Sequence, residues 1–362
     1  MSGVRPGGIK VGVDALSAHG DRIDVRSPSE FALDHIPGAV NLPVLDDAQR
    51  AEVGTLHARE SAFAAKQRGA ALVARSIARI VEEHCAGKPR DWSPLVYCWR
   101  GGKRSGALAH VLNEIGWRAV QLDGGYQTYR RHVVAELARL PAGFDYIVIC
   151  GLTGSGKSRL LAALGEAGAQ VLDLEGLARH RGSLLGDLPG DPQPSQKRFD
   201  SQLHAALAAL DPARPVFVES ESRKIGSVQV PDALLARMRD ARCVRVDTPL
   251  ALRVALLKDE YAHFLTDTGA LGARLAHLVP LHGRKTIERW TETAQAGDFD
   301  TLVRDLLVQH YDPAYTRSIE RNFPRVAEAI TVAPRDVAPA AFAALARELI
   351  DTLDTRVPEI VT

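Results

Sequence analysis

Cysteine is scarce and scattered. Cys85, Cys98, Cys150 and Cys243 form no C-x-x-C pair, which excludes a disulfide framework and argues against structural zinc. Four isolated thiols still allow one reactive cysteine. Charge of one sign is also missing: the formal net charge is +1, so no global basic field announces nucleic acid, and any RNA contact must come from local patches. No apolar run is long enough to cross a bilayer, and Met1 to Lys10 lacks the apolar core of a signal peptide. A cytoplasmic protein with no membrane partner is expected. Against these absences stand 362 residues, 46% of them hydrophobic and 25% charged, enough for two hydrophobic cores and most simply for two domains.

The most specific stretch is Gly151-Leu152-Thr153-Gly154-Ser155-Gly156-Lys157-Ser158, a G-x-x-x-x-G-K-[ST] pattern directly after the apolar run Tyr146–Cys150. The run reads as a buried strand and the stretch after it as a helix from Lys157 to Glu166, which is the context a phosphate loop requires. Its glycines let backbone amides turn toward an anion, Lys157 adds a point charge, and Ser158 can hold a magnesium ion. The motif names an anion, a phosphate or diphosphate, but no reaction. No other metal is assigned.

A second chemistry lies upstream. Leu95-Val96-Tyr97-Cys98 reads as a strand, and Arg100, Gly101, Gly102, Lys103 and Arg104 follow in a loop. Ala107, Leu108, Val111, Leu112 and Ile115 then mark one face of a helix that Gly116 stops. Cys98 thus sits at a strand end beside a helix N-terminus and three cations, conditions that favour a reactive thiolate. Five residues separate Cys98 from Arg104, a ring wide enough for a tetrahedral oxyanion. Earlier, Asp24-Val25-Arg26, Glu30-Phe31 and His35-Ile36-Pro37-Gly38-Ala39-Val40-Asn41-Leu42-Pro43 resemble the signatures of the rhodanese homology domain. Asp24, Arg26 and His35 are read there as loop pins. Cys85 is read as a packing or surface residue, and 46–92 as helices covering one sheet face. Sulfurtransferases of that type have four residues in the cysteine loop; the five here also match rhodanese-like phosphatases, although Tyr97 stands where those enzymes carry histidine.

Pro141-Ala142-Gly143 breaks the chain, and we expect a rhodanese-like domain over 1–140 and a P-loop α/β domain over 144–362. In the second, strands are expected at Gln170–Leu174, within Pro215–Gly226, where the strand ends in carboxylates, and at Cys243–Asp247, and the chain is expected to be helical from there to its end. Arg179 and Arg181 follow a strand end, where ligands bind in open α/β sheets. Glu219 and Glu221 end another strand and can order a metal ion, while Arg223 points to anion binding. Cys150 and Cys243 lie in apolar strands as core residues. Arg284, Lys285 and Arg289, with Arg317 and Arg321, are candidate phosphate contacts for RNA.

In order and spacing, the cysteine loop, the phosphate loop and Glu219-Ser220-Glu221-Ser222-Arg223-Lys224-Ile225-Gly226 resemble the bacterial tRNA 2-selenouridine synthase family over nearly the whole chain. The resemblance implies replacement of sulfur by selenium in wobble 2-thiouridine of tRNA. It also implies selenophosphate as donor, geranyl diphosphate as co-substrate for an S-geranyl intermediate, no tightly bound cofactor, and a selenophosphate-producing enzyme as a possible partner. It places selenium on Cys98 as an S-selanylcysteine, anions at the amides of that loop and at Arg104, and the geranyl diphosphate on Gly151 to Ser158. A nucleotide-dependent sulfurtransferase, a rhodanese-type phosphatase and a phosphate-sensing module with a rhodanese docking platform are the alternatives.

Overall fold

Short, fully buried apolar runs alternating with amphipathic stretches build parallel sheets covered by helices, and this pattern occurs twice. Residues 9–354 are described in a computed structural model of the chain; the residues before Ile9, on which part of the reading of the amino terminus rests, lie outside them. The chain divides into two units. One runs to Glu136 and includes Pro194–Ala205; the other comprises Leu137–Gln193 and the residues from Ala206 onward. The helix Gln196–Ala208 crosses that division.

The first unit holds β1 (Lys10–Val11), β2 (Arg22–Asp24), β3 (Ala39–Asn41), β4 (Leu95–Tyr97) and β5 (Val120–Leu122). They form a parallel sheet in the order β1-β5-β4-β2-β3. β4 is central, and its three side chains are all buried. Helices Asp47–Arg59 and Ala62–His84 fill the long connection to β4. The longer one turns Leu72, Ser76, Ile77 and Ile80 inward, the three-to-four spacing of an amphipathic helix. Cys85 ends it inside the core.

Buried charge organises the loops of this unit. Asp24 and Arg26 pair at 2.6 Å, both out of contact with solvent. The guanidinium also donates to the carbonyl of Asp34 at 2.7 Å and lies 4.0 Å from the ring centre of Tyr126. His35 stacks on Phe31 and bonds its carbonyl at 2.8 Å. These residues fasten loops, as their types suggest.

The second unit holds β6 (Tyr146–Cys150), β7 (Gln170–Leu172), β8 (Val216–Glu219), the hairpin β9 (Lys224–Ile225) and β10 (Val228–Gln229), then β11 (Arg242–Val246) and β12 (Ile330–Val332). The main sheet is parallel, in the order β12-β11-β6-β8-β7. Here the sequence reading needs correction. The chain is not helical from Asp247 to its end: β12 returns after a long helical excursion to add an edge strand beside β11. Two apolar residues around Thr331 are too few to outweigh the helical pattern on either side, and pairing with β11 fixes their conformation. The excursion packs a core of its own around Trp290, Leu275 and Leu302, and the helix Pro339–Asp354 covers the sheet through Phe342, Leu345 and Leu349. Cys150 and Cys243 are buried in the adjacent strands β6 and β11. Among the described residues no helix is long and apolar enough to cross a membrane.

Candidate active site

Each unit places its chemistry where the chain leaves its central strand. In the first, Cys98 follows β4. The carbonyl of Cys98 accepts from the Tyr126 amide at 2.8 Å and that of Trp99 from the Gln127 amide at 3.0 Å, so the loop rests on the Asp123-Gly124-Gly125 turn. Gly101 makes this possible. Its φ is +59°, and a Cβ there would fall 2.5 Å from the Leu122 carbonyl oxygen, a conformation and an approach open only to glycine.

Cys98 is 3% exposed, and its sulfur receives two donors. The Gly102 amide lies 3.3 Å away and the Ser105 hydroxyl 3.1 Å. Gln121 of β5 donates to the Ser105 oxygen at 2.7 Å and to the Gly102 carbonyl at 2.9 Å. Because the serine oxygen already accepts from Gln121, its own proton is left for the sulfur. Donors aimed at a sulfur stabilise its anion, the nucleophilic form. Of the three cations read from the sequence, Arg104 pairs with Glu30 at 3.1 Å, while Arg100 and Lys103 are exposed at the mouth. Burial pushes the Glu30 carboxyl up, but Arg104, Ser27 and Arg50 together hold it below the usual range.

Ser105 and Gln121 are thus positioning residues that sequence reasoning did not find. Ser105 follows the marked arginine without a pattern of its own, and Gln121 is one polar residue in a buried strand. Ser105→Ala is expected to slow alkylation of Cys98 at neutral pH by about tenfold, the worth of one hydrogen bond to a charged acceptor. Mass spectrometry of the alkylated peptide measures it, and an unchanged rate removes Ser105 from the sulfur's environment.

In the second unit the phosphate loop follows β6. Gly154 and Gly156 have φ of +73° and +84°, and a Cβ at either would meet Leu257 or Phe342 within 2.8 Å, so the glycines are imposed by close packing under the loop. Arg253 donates to the Thr153 carbonyl at 2.9 Å and is held bidentate by Asp312. Thr248 donates to the Ser155 carbonyl at 2.8 Å. Tyr315, from the helix Asp312–Asn322, accepts from the Gly151 amide at 3.0 Å and bonds Ser220 at 2.8 Å. Lys157 donates to the carbonyls of Gly151 and Leu152 at 2.9 and 3.3 Å. Burial lowers the lysine's pKa, yet Tyr315, Glu219, Glu175 and Glu221 outweigh it and leave it raised.

Three carboxylates gather beside this loop. Glu219 ends β8, the neighbour of β6; Glu221 follows it, and Glu175 follows β7. Their oxygens lie within 4.8 Å of one another, and Ser158 donates to Glu175 at 3.2 Å. Glu219 is wholly buried with neither oxygen hydrogen-bonded. Burial raises all three carboxyls above their usual range; Glu219 and Glu221 add repulsion at Glu175, and Lys157 opposes it. An orphaned buried carboxylate among others at this separation suits a hard divalent cation with oxygen ligands, so these residues with Ser158 fit a magnesium ion. The sequence marked Glu219 and Glu221, but Glu175 was hidden in a segment that reads as basic.

A cleft of about 830 Å³ opens above the loop, lined by Lys157, Ser158, Arg181, Glu221, Arg223 and Tyr315 among others. Arg181 reaches it and lies 4.9 Å from the ring centre of Tyr261. Arg223 lines it while paired with Asp232 at 3.1 Å. Arg179 pairs with Asp191 at 2.8 Å and is not among the lining residues.

Comparisons with known proteins match two successive stretches of the chain. Residues 13–132 match the rhodanese-like domain, and 144–272 match the AAA domain of tRNA 2-selenouridine synthase. The tRNA 2-selenouridine synthase of Nitrosomonas europaea is 36% identical over 75% of this chain and 71% of its own length. The chain belongs to the tRNA 2-selenouridine synthase family. The enzyme of that name from Salmonella newport is 33% identical over 83% of this chain and 89% of its own. The family fold is thus a rhodanese-like domain, which carries Cys98, followed by a P-loop α/β domain with a helical C-terminal part. The matched AAA segment contains the phosphate loop and the three glutamates, whereas Tyr315 and Phe342, which brace that loop, come from beyond it.

Proposed function

We propose that the protein is a cytoplasmic tRNA-modifying selenotransferase with geranyltransferase activity. It replaces sulfur by selenium in wobble 2-thiouridine, with selenophosphate as donor and geranyl diphosphate as alkylating co-substrate. The observation that carries this reading is a cysteine sulfur held by two donors in a five-residue loop, in a chain that also has a phosphate loop. The 2-thio sulfur attacks C1 of the geranyl chain and diphosphate leaves, which turns a poor leaving group into a good one and makes C2 of the pyrimidine electrophilic. Lys157 and the loop amides hold the departing diphosphate. Magnesium, held by Ser158 with Glu175, Glu219 and Glu221, would neutralise part of its charge.

Electron counting refines the role of Cys98. Selenium in selenophosphate is already at the selenide level, so an S–Se bond to Cys98 would need an oxidant. Attack of the thiolate on phosphorus needs none: the S–P bond forms, the Se–P bond breaks, and hydrogenselenide leaves to add at C2 and expel geranylthiolate. Water then hydrolyses the phosphocysteine. A loop of tetrahedral-oxyanion size, with Arg100, Lys103 and Arg104 at hand, supports this order. A selenophosphate-producing enzyme is the partner such a labile donor calls for.

The defining experiment is mass analysis of wobble uridines in tRNA from cells with and without the gene. Loss of 2-selenouridine with retention of 2-thiouridine is expected, and unchanged selenouridine overturns the reading. The glutamates beside Ser158 also suit a magnesium nucleotide, as in a nucleotide-dependent sulfurtransferase; ATP turnover by the purified protein would favour that alternative. For tRNA itself, Arg284 and Lys285 are exposed at the start of the helix Arg284–Gln295. Replacing both by alanine is expected to reduce the slope of log affinity against log salt by about 2. An unchanged slope in filter binding assigns the RNA contact elsewhere.

A further inference from the structure

A second space of different chemistry lies next to the phosphate loop. Its walls are almost wholly hydrocarbon, with Phe264, Leu271, Leu302, Leu306 and Leu307 all buried among them. The cavity measures about 60 Å³, room for about four or five groups the size of a water or methylene. It adjoins the cleft above the phosphate loop: Thr153, Ser183, Leu257, Tyr261 and Tyr311 line both. These shared walls set the loop, Lys157 and Ser158 on one side and an apolar space on the other.

Two features mark this cavity as built. Protein interiors rarely leave voids larger than a water, because each unfilled wall forfeits dispersion contacts. The helix Phe299–Leu306 also widens into a π turn over Leu307–Tyr311, a rare distortion that recurs at functional sites, and both ends of that turn line the cavity. An amphiphile, anionic at one end and hydrocarbon at the other, matches this pair of spaces.

We propose that this cavity receives the hydrocarbon tail of a prenyl diphosphate whose diphosphate rests on Gly151 to Ser158, with the terminal isoprene unit enclosed and the proximal unit in the mouth. This rests on the reading of the loop as a diphosphate site; it adds where the tail lies and what sets its length. A dimethylallyl chain spans only the mouth, a geranyl chain reaches the apolar end, and a farnesyl chain meets the wall formed by Phe264, Leu271, Leu302 and Leu306. The cavity makes the protein selective for geranyl.

The test is calorimetric titration of the full-length protein with inorganic diphosphate and with dimethylallyl, geranyl and farnesyl diphosphates. Geranyl diphosphate is expected to bind tightest, about a hundredfold tighter than inorganic diphosphate. Val303→Phe and Leu185→Phe fill the cavity from two different half-buried positions. Each is expected to cut the geranyl advantage by tenfold or more while inorganic diphosphate binds as before. Melting curves identify a variant that fails to fold; the other variant and the wild-type length series then decide. A geranyl chain that adds nothing over inorganic diphosphate overturns the assignment, as does an unchanged length preference in folded variants. In those cases inorganic diphosphate binding that Lys157→Ala abolishes leaves the reading of the loop standing. If inorganic diphosphate does not bind the wild-type protein, both fall.

Discussion

Cys98→Ser is expected to remove selenium from wobble uridine while the protein still folds. Serine keeps the volume and the packing of a side chain that is 3% exposed, but an alkoxide is not available at neutral pH. Loss of a covalent nucleophile costs orders of magnitude, here at least about a thousandfold in selenium transfer. Mass analysis of tRNA nucleosides from a complemented deletion strain reads the effect. Geranylated 2-thiouridine is expected to accumulate, since the proposed alkylation is assigned to the other loop. Incubation of wild-type protein with selenophosphate adds a second readout: a phosphoryl adduct on the Cys98 peptide is expected. Near-normal selenouridine in the mutant defeats the role assigned to this sulfur, and a selenium adduct in its place points to an oxidant and an S–Se bond.

The second large effect is at Lys157. Its ammonium is held between the Gly151 and Leu152 carbonyls and 5.3 Å from the ring centre of Tyr315, at the place where a diphosphate bound to the loop needs charge. Lys157→Ala should slow geranylation of a 2-thiouridine stem-loop by about a hundredfold, or ~3 kcal/mol of transition-state stabilisation. Selenium transfer to a stem-loop supplied already S-geranylated should change little, because that step is proposed to use selenophosphate at Cys98. Equal loss on both substrates would assign the phosphate loop to selenium delivery or to stability alone. Loss on neither would remove it from the chemistry.

The parts of this design legible in the sequence are those set by local chemistry. The two loops follow from short patterns at strand ends, and the helix Lys103–Ile115 from apolar spacing with Gly116 in a left-handed conformation at its end. The remainder depends on contacts between distant positions, which leave no local signal. Gln121 reaches Ser105 only because β5 pairs with β4. Glu175 meets Glu219 and Glu221 only because β7 lies beside β8. Tyr315 is one aromatic residue in a polar helix, and its bond to the Gly151 amide spans 164 positions. The apolar cavity is likewise assembled from several helices, each of which reads as ordinary core.

The edge strand β12 and the helix Pro339–Asp354 have a consequence for synthesis. Ile330–Val332 completes the second sheet, and Phe342 packs under Gly156, yet both leave the ribosome long after the phosphate loop itself. The first unit waits as well, since it includes Pro194–Ala205, where Ser201 bonds the buried Asp34 at 3.0 Å. Neither half can therefore finish folding in the order in which it is translated. A nascent chain stalled before residue 330 would present a sheet edge and an unbraced anion loop, so emergence of residues 330–354 is the step that completes the second unit.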